Sequence, residues 1–199
     1  MADGAPVTNA LASIRGELLR YKALAEGAIA QLDDGELAIG GEDGRNSVAI
    51  ICRHLSGNFR SRFSELLTSD GEKPWRDRDR EFEARSPGRE ELLADWEEGW
   101  AILFEALDAL RDDQLDLTVT IRRQPFRVLE ALHRSLAHAS YHVGQIVYIA
   151  KALRGRDWTT LSIPPGGSAE YNEDPKHESA GAHARTLTDR RRGGPNDRP

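Results

Sequence analysis

The sequence predicts an all-α protein built as a four-helix bundle. Three observations predict it. Four segments of roughly 20–28 residues repeat their apolar positions at a three-four spacing. Glycine- and acid-rich breaks separate these segments, and alternating β-branched residues are confined to one short run. Amphipathic helices of similar length bury their stripes best against one another.

The first helix is expected from about Val7 to Leu32, with Leu11, Ile14, Leu18, Tyr21, Ala25, Ala28 and Leu32 on its stripe. Asp33-Asp34-Gly35 ends it, the glycine serving as C-cap residue. Glu36 to Asn46 reads as loop. Asn46 or Ser47 caps a second helix to about Thr68, with Val48, Ile51, Leu55, Phe63 and Leu66 apolar. His54 falls in its middle, and Asn58 follows one turn later on the same side.

Ser69 to Arg85 is a long connection, and such loops are either functional or floppy. Trp75 offers an anchor, so an ordered loop over one end of the bundle is expected. Ser86-Pro87 starts a third helix by cap and first-position proline. It runs to about Leu110 with Leu93, Trp96, Trp100, Leu103, Leu107 and Leu110 on one stripe; Glu97 and Glu98 belong to a solvated face. Leu117 to Ile121 alternates and is β-branched, and Arg122-Arg123-Gln124-Pro125 can turn it, giving an extended segment or small hairpin.

The fourth helix is expected from about Arg127 to Leu153, capped by Gly155. Gly144 costs that helix about 1 kcal/mol against alanine, which close approach of a backbone or ligand would explain. Trp158 and Leu161-Ser162-Ile163-Pro164-Pro165 form a final ordered wrap, closing one domain over residues 1–171. Beyond it, 172–199 is rich in charge, glycine and proline, and is expected to be a disordered tail.

The net charge of −6 argues against nucleic-acid or anionic-membrane binding, which need a basic face. A single cysteine, Cys52, excludes an internal disulfide. MADGAPVTNA has neither a basic n-region nor an apolar h-region, and no apolar run approaches the roughly 18 residues of a membrane span. The expected compartment is therefore the cytoplasm.

The chemistry gathers on three histidines. His138 and His142 stand four residues apart, so about 100° per residue brings them to one helix face, where two imidazoles can close on one metal ion. His54 is the other histidine near an apolar stripe at a helix midpoint. Three imidazoles leave the fourth position of a tetrahedral ion open, the pattern of catalytic rather than structural zinc. Nitrogen ligation also suits nickel or iron, so the divalent metal is undetermined. Asn58 and Gln145 lie one turn beyond ligands and are candidates for orienting a ligand or a substrate. The plain alternative is a set of core histidines hydrogen-bonded to neighbours.

Other residues offer less. His133 lies about 140° around the helix from His138. His177 and His183 fall in the expected tail, as does the solvated run Arg190-Arg191-Arg192. Cys52 reads as a buried, inert thiol.

Several stretches resemble an uncharacterised branch of the DinB/YfiT-like superfamily of metalloenzymes. They include Arg53-His54-Leu55-Ser56-Gly57-Asn58, Asp70-Gly71-Glu72-Lys73-Pro74-Trp75-Arg76, Ala139-Ser140-Tyr141-His142-Val143-Gly144-Gln145-Ile146-Val147 and Trp158-Thr159-Thr160-Leu161-Ser162-Ile163-Pro164. The similarity runs from about Val7 to Asn172. It implies an antiparallel four-helix bundle, a divalent metal on His54, His138 and His142, and a homodimer. Better-known relatives are thiol-dependent transferases, so the resemblance also implies a low-molecular-weight thiol as cosubstrate. Three readings follow: a metal-dependent thiol transferase or hydrolase acting on a small molecule, a non-catalytic metal- or ligand-binding sensor, and a bundle whose histidines are purely structural.

Overall fold

The three-four stripes become four long helices in the computed structural model, which describes residues 10–40, 44–85, 88–175 and 178–192. They are α1 (Ala10–Ile29), α2 (Val48–Phe63), α3 (Arg89–Ala109) and α4 (Val128–Arg154). α1 lies along α4, α2 lies along α3, and α2 also meets α4. Leu18 and Ile29 of α1, Leu55 and Phe59 of α2, Trp96, Trp100 and Leu103 of α3, and Leu132 and Ile146 of α4 are buried in one core. The Trp100 ring sits 4.7 Å from that of Phe59 and 5.4 Å from that of Trp96, so three large aromatics supply much of the buried apolar area. The result is the expected all-α bundle.

Two close approaches set the helix spacing. A Cβ at Gly99 would lie 2.7 Å from the Ser56 Cα, so α3 meets α2 backbone to backbone at a residue without a side chain. A Cβ at Gly27 would lie 2.9 Å from a Leu161 methyl, which places the expected wrap on α1.

The ends differ from expectation by a few residues. Ser47 caps α2, its side chain accepting from the Ile50 N–H. α2 stops at Phe63, because Ser64 is extended and Glu65 adopts a left-handed φ of 56°. This lets the chain return: the Ser61 hydroxyl donates to the Gly71 carbonyl at 2.7 Å. α3 begins after Gly88, and Ser86 and Pro87 lie outside the described residues. Leu92, not Leu93, is the fully buried first member of its stripe.

The alternating stretch is a hairpin: β1 (Thr118–Ile121) pairs antiparallel with β2 (Gln124–Arg127), and Ile121 faces Gln124. Its two-residue turn, Arg122-Arg123, has φ of 53° and 62°, a conformation usually given to asparagine and glycine. Asp70 compensates, accepting from the N–H groups of Arg122 at 2.9 Å and Arg123 at 2.8 Å. The long connection after α2 thereby clamps the hairpin.

Three expectations are corrected. Trp75 does not anchor the long loop; it is 60% exposed, and the loop is held by Lys73 and Arg76 instead. Gly144 has nothing from another described element within 4 Å of its missing Cβ, so no neighbouring backbone closes on it. The expected disordered tail, 172–199, begins within the short helix α5 (Ser168–Glu173) and contains α6 (Ala180–Arg192). α6 buries Ala184 and Leu187 against Leu19, Ala23 and Leu24 of α1, and His183 is buried beside them. A short apolar edge suffices there because α1 presents a matching outer face and Arg191 donates to Glu26 at 2.7 Å. Residues 176–177, including His177, and 193–199 lie outside the described residues. No helix among the described residues is long and apolar enough to cross a membrane.

Candidate metal centre

His54 on α2 faces His138 and His142 on α4, and their ring nitrogens come within 4.8 Å of one another. The four-residue spacing stacks the α4 pair with ring centroids 4.6 Å apart. The α2–α4 contact supplies His54, whose Nε2 lies 3.1 Å from the His138 Nε2. His54 and His142 are buried, and His138 is half-buried.

The outer nitrogens fix the tautomers. The His54 Nδ1–H donates to the Glu81 carboxylate at 2.8 Å. The His142 Nδ1–H donates to the Gln145 side-chain oxygen at 2.9 Å. Each ring with its proton held outward carries a bare Nε2. The His138 Nδ1 is buried and has no hydrogen-bond partner. The cluster thus turns at least two bare nitrogens inward, the arrangement that suits a cation.

Protonation cannot satisfy the His138 and His142 nitrogens near neutral pH. Burial pushes the His138 pKa down to about 3, assisted by His142, His54, Arg76 and Arg62. Burial also lowers His142 against the raising effect of the Gln145 hydrogen bond, with further repulsion from His54 and Arg78. Neutral imidazoles are the ligating form. Three nitrogen donors, two of them oriented from outside, fit a divalent transition-metal ion.

Glu81 is the residue that sequence reasoning missed. Burial alone would raise its pKa, but hydrogen bonds from His54 and Arg76 hold it below the usual carboxylate range. Arg76 grips it bidentately at 2.8 and 2.9 Å. A Cβ at Gly57 would lie 2.9 Å from the Glu81 Cδ, so the carboxylate lies directly on the α2 backbone. Arg76 was inside the quoted loop motif, but no helical spacing links Glu81 to His54, 27 residues earlier.

The remaining candidates fall where their roles can be compared. Gln145 contacts His142 as stated, while Asn58 lines a cavity of about 160 Å³ that opens on His54 and His138. His133 is exposed and outside the cluster. Cys52 is buried, and burial pushes its thiol pKa well up, consistent with an inert side chain. His183 is buried rather than solvated, and its ring Nε2–H donates to the Leu161 carbonyl at 2.9 Å.

A family of proteins of unknown function, DUF1572, matches residues 7–167. The chain belongs to that family. DUF1572 lies within the DinB/YfiT-like superfamily, in agreement with the resemblance carried by the histidine motifs. No curated protein and no solved structure matches the chain significantly.

Proposed function

We propose that this DUF1572 protein is a divalent-metal-dependent enzyme whose His54, His138 and His142 hold the ion. The observation that carries this reading is the convergence of three imidazoles whose nitrogens lie within 4.8 Å of one another, His54 and His142 holding their N–H outward and His138 keeping a buried Nδ1 without a hydrogen-bond partner. Glu81 and Gln145 keep two of the rings in the ligating tautomer, and Arg76 keeps Glu81 ionised and in place. When bound, a divalent cation supplies the acidity that brings a thiol or water toward ionisation near neutral pH. Asn58 lies on the cavity wall beside His54 and orients what enters.

The reaction we favour is transfer of a low-molecular-weight thiol to a small electrophile, in the cytoplasm. The thiol sulfur forms the new bond to carbon as the bond from that carbon to its leaving group breaks; the leaving group departs with the electron pair, and the thiol proton passes to solvent. A homodimer belongs to this reading, and the exposed Tyr141 and Tyr148 on the outer face of α4 suit such a contact.

Protein made without a histidine tag and supplied with zinc, nickel or iron should carry about one metal per chain. His142→Ala should lose that metal and retain its helical circular dichroism. Thiol addition to model electrophiles should disappear with the metal. An active metal-free variant refutes the mechanism. Tight metal and ligand binding without turnover for any thiol would make the protein a sensor instead.

A further inference from the structure

The cavity beside His54 and His138 has an unusual wall. Arg62, Arg76, Arg78, Arg122 and Arg134 line it, and no carboxylate does. This gathering runs against a chain of net charge −6. Five guanidiniums around about 160 Å³ therefore make a strongly positive local field within an acidic protein.

The nearby acids neutralise only part of it. Glu72 is shared by Arg62 at 3.1 Å and Arg122 at 3.0 Å. Glu81 is committed to Arg76 and His54. Among the described residues Arg78 has only Asp79, at 3.9 Å and almost fully exposed. Arg134 has no ion pair with any described residue; its guanidinium lies over the Phe126 ring at 5.4 Å. Arg78 is likewise seated over Phe82, at 4.8 Å. Ring stacking orients a guanidinium and leaves its N–H donors unspent. Neither guanidinium donates a hydrogen bond to another described residue, so both forks are available to an acceptor that enters the cavity.

Charge balance points the same way. Three neutral imidazoles leave the full double charge of a bound divalent cation uncompensated, and the wall adds more positive charge. A negatively charged partner is what this volume lacks. Guanidinium forks match the planar carboxylate and the phosphate oxygens. The size restricts the choice, because about 150 Å³ is the volume that accommodates benzene.

We propose that this cavity seats the oxyanion group, carboxylate or phosphate, of a small substrate, with Arg134 and Arg78 as its specificity-determining grips. The inference names the substrate class of the metal site proposed above and rests on that reading for its catalytic meaning.

Calorimetric titration of the zinc-loaded protein with malonate, inorganic phosphate and the uncharged malonamide tests it. Metal content is measured first on every sample. At least one of the two anions should bind, about tenfold or more tighter than malonamide, and should weaken as sodium chloride rises. Which anion wins identifies the oxyanion. Arg134→Gln and Arg78→Gln should each weaken that anion about tenfold, with metal content and circular dichroism unchanged. Equal binding of malonamide, wild-type anion affinity in both variants, or no anion binding by metal-loaded protein overturns the inference and leaves the metal site standing. If the wild type takes up no metal, the proposed function fails. The same titrations on the metal-free protein then read the cavity alone, with anion selectivity that depends on Arg134 and Arg78 supporting it and its absence overturning it.

Discussion

Two corners of this bundle bury a glutamate, and they differ in what is left over. At the α1–α6 corner, Glu26 receives Lys22, Arg191 at 2.7 Å and the Trp96 indole N–H at 3.4 Å. Beside it, His183 donates to a backbone carbonyl. At the α2–α4 corner, Glu81 receives Arg76 and His54, and the nitrogens of three imidazoles converge within 4.8 Å of one another. Both carboxylates are held below their ordinary pKa against burial. Burial of charge is therefore common to both corners. Three converging imidazoles beside an arginine-lined cavity are found at one, and they separate a chemical site from a structural clasp.

Removing the glutamates should separate the corners most sharply. Glu81→Ala leaves the Arg76 side chain, only 2% exposed, without its counter-charge. It should cost about 3–5 kcal/mol in denaturant melts and lower metal affinity about 10–100-fold. Glu26→Ala should cost less, about 1–3 kcal/mol, since Lys22 keeps Glu97 and Arg191 is 40% exposed. Its metal content should match the wild type. Metal loss in Glu26→Ala, or none in Glu81→Ala, would erase the distinction.

Gly57→Ala tests the support beneath Glu81. The added methyl needs the space of the carboxylate, so metal affinity should fall about tenfold while stability drops by about 1–3 kcal/mol. Unchanged affinity would show that Glu81 need not touch α2 to do its work.

Acid titration of metal-free protein sharpens the contrast further. His138 and His142 are depressed in the folded chain, so the unfolded chain binds more protons as pH falls below about 6.5. Their contribution is complete above that pH and is lost progressively toward about 3. The Glu26 contribution is lost only below its ordinary 4.5. Stability should therefore begin to fall between pH 6.5 and 4.5 in the wild type and stay nearly level in a His138→Leu, His142→Leu variant. Equal slopes in that window would remove the histidine cluster as the cause.

The smallest expected effect lies at the hairpin. Arg123 holds a φ of 62°, where a side chain costs about 1–2 kcal/mol and glycine nothing, less the entropy glycine loses on folding. Arg123→Gly should raise stability by up to about 1 kcal/mol, a Tm gain of about 2–4 °C, without changing metal binding. Destabilisation would mean that Arg123 makes a contact its backbone geometry does not reveal.

Sequence alone determined the parts governed by local spacing. Three-four stripes specified α1 to α4, a short β-branched alternation specified the hairpin, and the four-residue step from His138 to His142 put both rings on one face. His54 could be singled out by its place on an apolar stripe. Tertiary structure alone decided the rest: that His54 meets the α4 pair, that Glu81 and Arg76 stand behind it, that Trp75 faces outward and Arg76 inward, and that α6 docks on α1. The reason is range. A helix repeats its face every few residues, so its pattern is written in neighbours. The partner of a buried charge is chosen by which surfaces arrive beside it, and no periodicity in the chain records that choice.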